Sequence, residues 1–320
     1  MSSLALTGAL LLPAAAQADD LEASFDSALG TDLRAPRSYS GLDQRLAALA
    51  DAQQGRIGVA AIDLATGRSV AVLGEQPFPM ASTSKIAIVA TFLEGVDQGR
   101  FTLDQQFPMM VPLPSAKFDG PVAPVRAGQR MSALGLIELT ITRSDNQATD
   151  ALLAAVGGPS AVNRWIRRAG IKGMRLDRDI ATLVRDDGEI DPARSVDPRD
   201  SATPLAMTQL LSGIYRGEWL SPQSRGVLIG AMERCLTGKR RIPGQLPAGT
   251  PVAHKTGTLN NTSSDVGIIH TPDGRALAVA IYVTGQGGKP AREERISSIA
   301  RAIYDGYLIE QTPSVRTVAR

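Results

Sequence analysis

Strand-like spacing stands at both ends of this 320-residue chain, with helical spacing between them. Near the start, Ile57-Gly58-Val59-Ala60-Ala61-Ile62-Asp63-Leu64 and Ser69-Val70-Ala71-Val72-Leu73 flank the short turn Ala65-Thr66-Gly67-Arg68, which predicts a β-hairpin. Near the end, Val252-Ala253-His254-Lys255, Val266-Gly267-Ile268-Ile269-His270 and the run from Ala276 to Val283 read as strands. The last two are joined by the turn Thr271-Pro272-Asp273-Gly274-Arg275. From Ser82 to about Gly217 the apolar spacing is mostly helical, as in Leu134, Ile137 and Ile141, then Val162, Trp165, Ile166 and Ala169. Helical stripes also precede the first strand (Leu42, Leu46, Leu49, Ala50) and follow the last (Ile296, Ile299, Ala300, Ile303). This order predicts an α/β domain whose sheet is completed by both chain ends, with an all-α domain inserted into it. The expected boundaries are residues 41–79 and 218–308 for the discontinuous α/β domain and 80–217 for the helical one. A cleft between the two is the natural binding place.

Composition narrows the partners. The net charge is +2 and the basic residues are scattered, so neither nucleic acid nor a membrane surface is expected to bind the mature chain. Leu4 to Pro13 form a short apolar core, and Ala16-Gln17-Ala18 is a small-x-small cleavage pattern ahead of Asp19-Asp20. That run is too short to span a bilayer. It reads as a signal peptide over residues 1–18 and a periplasmic product, although no Lys or Arg precedes the apolar core. Residues 19–40 are a polar stretch, and 309–320 read as a flexible tail. Cys235 is the only cysteine, which excludes an intrachain disulfide and a thiolate metal cluster; it reads as a small core residue. With only His254 and His270, a histidine metal site is not expected either, and no cofactor is.

Three short motifs carry chemistry. Pro79-Met80-Ala81-Ser82-Thr83-Ser84-Lys85 leads straight into the apolar run Ile86 to Leu93, so Ser82 and Lys85 fall one helical turn apart on one face. A lysine amine short of water and near other cations loses its charge more readily and can take a serine's proton. Taken alone, the same residues also describe a helix cap followed by a solvated lysine. The chain has just six lysines, which makes two of them inside motifs harder to dismiss. Ser144-Asp145-Asn146 lies between two helical stretches and can hold a hydroxyl and a carboxamide toward a cleft; all three residue types equally suit a helix N-cap. His254-Lys255-Thr256-Gly257-Thr258 closes an edge strand, whose free N–H and C=O groups suit an extended, peptide-like ligand.

In combination and in this order, Ser-x-x-Lys, Ser-Asp-Asn and Lys-Thr-Gly resemble the class A serine β-lactamases and, more distantly, the penicillin-binding DD-peptidases. The likeness runs from about Gly41 to Tyr307. It implies an antiparallel sheet flanked by helices plus the inserted all-α domain, acting on a β-lactam or peptidoglycan-like substrate as a monomer. By this resemblance Ser82 is the acylated nucleophile, Lys85 its proton partner and Ser144 the proton relay. Asn146, Lys255, Thr256, Gly257, Thr258 and Arg241 bind substrate, and the backbone N–H groups of Ser82 and Thr258 form the oxyanion hole. Phe118 or the adjacent Asp119 corresponds to an aromatic gate in the proline-punctuated loop from Pro108 to Pro124.

One departure stands out. Class A enzymes follow Leu-Asp-Arg with a glutamate two residues on and an asparagine four after that, the pair that holds the hydrolytic water. Here Leu176-Asp177-Arg178 is present, but those two positions read Ile180 and Val184. The loop 177–200 is longer than the family pattern and holds acids of its own, of which Asp179 and Glu189 are the candidate replacement bases. Either such a carboxylate takes over, or the acyl-enzyme hydrolyses slowly. The departure also keeps open a DD-peptidase or esterase-like acyl enzyme, and a β-lactam- or muropeptide-binding protein that acylates and stalls.

Overall fold

A computed structural model describes residues 41–114 and 120–309, and in it the strand-rich ends of the chain meet in one sheet. Helix α1 (Gly41–Leu49) leads into β1 (Gly55–Asp63) and β2 (Ser69–Val72), the expected hairpin. Then come β3 (Phe78–Pro79), a 3₁₀ turn (Ala81–Ser84) and α2 (Lys85–Asp97). The middle continues with β4 (Gln106–Pro112), β5 (Val125–Ser132), α3 (Ala133–Glu138), a π-helical turn (Leu139–Arg143), α4 (Asn146–Val156) and α5 (Pro159–Arg168). Next are β6 (Met174–Arg175), α6 (Ile180–Arg185), β7 (Ser201–Ala202), α7 (Pro204–Arg216) and α8 (Pro222–Glu233). After a 3₁₀ turn (Ile242–Gln245) the chain closes with β8 (Val252–Leu259), β9 (Thr262–His270), β10 (Ala276–Gly285) and α9 (Lys289–Ile309).

The main sheet runs β2-β1-β10-β9-β8 with every neighbour antiparallel, so the fold is the expected α/β type. Strand β10 shows how it divides the interior. Its side chains alternate faces, and Leu277, Val279, Ile281 and Val283 pack with α1 and α9 residues such as Leu46, Ile299 and Ile303. Ala278, Ala280 and Tyr282 face the other way, into the core shared with the helical middle. Small residues on that face let α7 lie close against β1 and β10. Helix α8, on the α/β side of the expected boundary at 217, packs against both α2 and β8.

Three expectations need correction. Residues 108–112 are not loop: β4 pairs with β5, with a register shift between Pro108 and Met110. A two-stranded ribbon leaves each strand one open edge, and a bulge relaxes the ladder further, so Pro108 is accommodated where a central strand would reject it. The 177–200 segment is not structureless, because α6 forms inside it. Strand β8 does not end at the glycine of Lys-Thr-Gly but continues to Leu259. The leader, the polar stretch 19–40, the gate residues Phe118 and Asp119, and the tail beyond Ile309 lie outside the described residues. Among those described, no helix is long and apolar enough to cross a membrane.

The two parts of the chain meet closely where the 3₁₀ turn packs on β8. A Cβ on Gly257 would lie 2.4 Å from Ser264 Oγ and 2.7 Å from the Met80 carbonyl oxygen. Backbone cannot give way as a flexible side chain does, so this glycine is what lets the turn sit against the strand. Gly257→Ala is expected to cost about 1–3 kcal/mol, the usual range for overpacking, measured by denaturant unfolding. Wild-type stability in that variant would show that the turn and strand tolerate wider spacing.

Candidate active site

Ser82 lies in the 3₁₀ turn and caps no helix: the N-cap position of α2 is Ser84, which makes no side-chain capping bond. The turn is fixed from within, because Thr83 Oγ1 donates to Met80 O at 2.7 Å and Ser84 Oγ to Ala81 O at 2.8 Å. Ala81, just ahead of the serine, has φ +48°, a left-handed conformation that L-residues with a Cβ seldom adopt. Such strain persists only where surrounding structure enforces it, and here the fit against β8 does so. The result is a half-buried Ser82 at the edge of the sheet.

One turn on, Lys85 is fully buried. Nearly every side chain of α2 is buried, because the helix runs through the core rather than along the surface. The Lys85 amine donates to Ser144 O at 2.7 Å, Ser144 Oγ at 3.2 Å and Asn146 Oδ1 at 2.7 Å. Burial, then the nearby charge of Lys255, holds this amine well below the ordinary lysine range, while Asp150 and Asp145 pull the other way. Ser144 is itself left-handed, φ +58°, at the end of the π-helical turn. Asp145 is the residue that caps α4, accepting the Ala148 N–H at 2.8 Å, which leaves Ser144 and Asn146 to face Lys85.

The third motif lies on the sheet's edge strand. Lys255 is fully buried and donates to Thr256 O at 2.9 Å; burial, with Arg241 adding to it, lowers the amine to about 8 against the opposing pull of Cys235 and Asp265. Arg241 holds the end of β8 in place: Nη1 donates to Gly257 O (2.7 Å) and Ser264 O (2.8 Å), Nη2 to Thr258 Oγ1 (2.7 Å), and Nε to Glu293 (3.3 Å). Arg241, expected among the substrate-binding residues, thus lies beside Thr258 with its guanidinium buried. Thr256 Oγ1 shares a 2.7 Å hydrogen bond with Thr237 Oγ1, a residue that no motif marks.

The long loop is laced together by its own charges. Asp200, buried and left-handed at φ +48°, accepts from the Asp177 and Arg178 N–H groups and pairs with Arg178 Nε at 2.6 Å. Arg178 reaches Asp186 at 3.2 Å, and Asp186 also pairs with Arg185. Asp187 accepts the Asn260 N–H at 2.8 Å and Asp191 the Asn261 side-chain amide at 2.8 Å, which latches the loop to the β8–β9 turn. Of the two candidate replacement bases, Asp179 caps α6 through the Thr182 N–H at 2.7 Å, and Glu189 is solvent-exposed. Ile180 is 2% exposed and packs in the core, while Val184 is 50% exposed. Asp150, which sequence reading passed over, accepts the Ile180 and Ala181 N–H groups at 2.7 and 2.9 Å; burial raises its carboxyl to about 6 against those two bonds. Its place four residues after Asn146, on the same face of α4, was a usable signal.

The chain is similar to known proteins over most of its length. A model of the β-lactamase enzyme family matches residues 41–307. The chain is 33% identical to β-lactamase CTX-M-25 of Escherichia coli over 270 residues, covering 83% of this chain and 89% of that protein. It is 32% identical to CTX-M-8 of Citrobacter amalonaticus, with 83% and 89% covered. Among solved structures, a β-lactamase from Chitinophaga pinensis DSM 2588 superposes with a TM-score of 0.73 at 29% identity, covering 84% of this chain and all of that one. The last common ancestor of Gram-negative bacteria class A β-lactamase (GNCA4) superposes at 0.72 and 35% identity, covering 84% of this chain and 100% of that one. With the serine turn, the buried lysine and the Lys-Thr-Gly edge strand assembled on that same fold, the chain belongs to the class A serine β-lactamases.

Proposed function

We propose that this enzyme opens the β-lactam amide by forming an ester on Ser82 Oγ, and that this acyl-enzyme is long-lived. The observation that supports the reading best is the Lys85 amine, buried and hydrogen-bonded to Ser144 and Asn146 one helical turn from Ser82. Burial pushes the amine toward its neutral form, which accepts the Ser82 proton as Oγ attacks the lactam carbonyl. Ser144, bonded to the same amine, passes a proton to the departing lactam nitrogen. Asn146 binds the substrate's side-chain amide. The N–H groups of Ser82 and Thr258 stabilise the oxyanion. Lys255, Thr256, Thr258 and Arg241 hold the substrate carboxylate against the edge of β8, where Gly257 keeps the strand close to the nucleophile. The protein works as a periplasmic monomer without a cofactor, delivered there by its N-terminal leader.

Breaking the ester requires a base for water. Neither Ile180 nor Val184 accepts a proton. Asp179 is engaged in capping α6, and the Glu189 side chain is turned to solvent. General-base assistance contributes roughly a hundredfold to ten-thousandfold, so its loss favours accumulation of the ester over turnover. Intact-mass measurement on protein mixed with a penicillin is expected to show one added penicillin mass on Ser82 that decays slowly, and none in Ser82→Ala. Neither adduct nor turnover in the wild type would overturn the reading.

Asp179→Asn and Glu189→Gln are both expected to leave the lifetime of that ester unchanged. A drop of about a hundredfold in deacylation for either would identify it as the replacement base.

Lys255 supplies positive charge below about pH 8 and loses it above. KM for a carboxylate-bearing β-lactam is therefore expected to rise as pH climbs through about 8. In Lys255→Arg, whose guanidinium stays charged, the rise should be absent. A flat KM profile in the wild type would remove Lys255 from carboxylate binding.

A further inference from the structure

The segment 234–241, between α8 and the 3₁₀ turn Ile242–Gln245, carries no motif, yet it is fastened to the site at both ends. The Leu236 N–H donates to Thr142 O at 2.9 Å, in the π-helical turn that presents Ser144. At the far end Arg241 grips the end of β8, and the Ile242 N–H donates to the fully buried Asp265 carboxylate at 3.0 Å. Both oxygens of that carboxylate also lie 2.9 Å from Nδ1 of His254, which is buried on the same face of β8 as Thr256. A carboxylate only accepts, so Nδ1 donates. Between these anchors Thr237 and Gly238 are held against Thr256.

Gly238 is left-handed at φ +70°, and a Cβ there would lie 2.2 Å from the Thr256 methyl carbon. Only a glycine lets the segment come this near. The contact fixes the rotamer of Thr256, whose branched side chain is stiff about χ1. That rotamer places Thr256 Oγ1 2.7 Å from Thr237 Oγ1, and among the described residues Thr237 is the one partner of the Thr256 hydroxyl. Each hydroxyl has a single hydrogen to give. The Thr237 hydrogen has two neighbours, the Thr256 oxygen at 2.7 Å and the Cys235 sulfur at 3.3 Å. Sulfur is the weaker acceptor, so that hydrogen points at Thr256. Cys235 itself is not the small core residue its amphipathic surroundings predict: it is half-buried and belongs to neither hydrophobic core. Thr256 thus accepts, and its own hydrogen is left to face the cleft.

We propose that Thr237 is a positioning residue for substrate binding: by donating to Thr256 Oγ1, it turns the Thr256 hydrogen outward to the substrate carboxylate. With the bond reversed, Thr256 would give its hydrogen to Thr237 and meet the carboxylate with lone pairs alone, which repel it. A hydroxyl already aimed at its ligand avoids the cost of being ordered on binding. The bond it then makes is to a charged acceptor, which is stronger than one between neutral groups. Thr237 acts through Thr256 and does not itself touch the substrate. This role rests on the carboxylate-holding part proposed above for Thr256.

The test is acylation of Ser82 by a penicillin, followed by intact mass over a series of concentrations to give a limiting rate and a half-saturating concentration. In Thr237→Val the half-saturating concentration is expected to rise about threefold to tenfold, the effect of one hydrogen bond. The limiting rate should change by less than about twofold, because binding and not chemistry is altered. Thr237→Ser, which keeps the hydroxyl, should restore the wild-type value. With the methyl ester of the same penicillin, which lacks the charged carboxylate, wild type and Thr237→Val should agree to within about twofold. Thr237→Ala, which adds no bulk against Cys235, takes the place of Thr237→Val where that variant fails to fold. Wild-type half-saturation in the variant lacking the hydroxyl overturns the role. So does an equal loss in Thr237→Ser, which would make the residue one of packing alone. An equal rise with the methyl ester overturns the link to the carboxylate. Absence of any adduct in the wild type strikes the functional reading and this role with it, whereas an adduct that forms alike in wild type and Thr237→Val strikes Thr237 alone.

Discussion

The buried amine of Lys85 is the constraint on which the site depends. An amine out of water requires acceptors for its donors. Here they come from the Ser144 carbonyl, the Ser144 hydroxyl and the Asn146 carboxamide, across the turn that joins the π-helical segment to α4. That turn reaches Lys85 only because Ser144 adopts a left-handed conformation and Asp145 takes over the capping of α4. Helix α2 and the start of α4 are therefore locked in one relative position. The strained Ala81 and the cramped Gly257 lock the other side, between the serine turn and β8.

Charges do for the long loop what hydrophobic packing does for the rest. Asp200, Arg178, Asp186 and Arg185 form a chain of pairs, and Asp187 and Asp191 reach out to the β8–β9 turn. Isolated exposed pairs contribute little, but Asp200 is buried and satisfies two backbone N–H groups as well as a guanidinium. The Arg185 guanidinium also donates to the carbonyls of Gly120 (2.8 Å) and Pro121 (3.4 Å), so the loop is tied to the segment after the gate residues. Most acids that stand out in the sequence of this loop are thus engaged in holding its shape.

The sheet and its helices were legible because burial on one face leaves a period in the sequence, as the split of β10 between two cores shows. The β4–β5 hairpin was not, since a ribbon exposed on both edges needs no strict alternation and tolerates proline. The Ser-Lys, Ser-Asp-Asn and Lys-Thr-Gly residues were legible as spaced motifs. The roles of Asp150, Thr237 and the His254–Asp265 pair were not, because each is defined by a partner far away in the chain. His254 and Asp265 meet only through the register of β8 on β9, in which His254 lies opposite Gly267 and Thr256 opposite Asp265.

Replacing the water-holding glutamate by isoleucine changes more than the fate of water. A carboxylate beside a buried amine favours its charged form, and a charged amine cannot take the Ser82 proton. At the position where the family pattern carries that glutamate, Ile180 packs into the core, its backbone N–H bound by Asp150. The carboxylates that oppose the downward shift of Lys85 are Asp150 and Asp145, and each is already accepting backbone N–H groups. The amine is left closer to its neutral form than it would be beside a free glutamate. In the reaction proposed above, one substitution thus acts in opposite directions on the two half-reactions: it removes a base for the water that breaks the ester and leaves more of the amine neutral to take the serine proton when the ester is made.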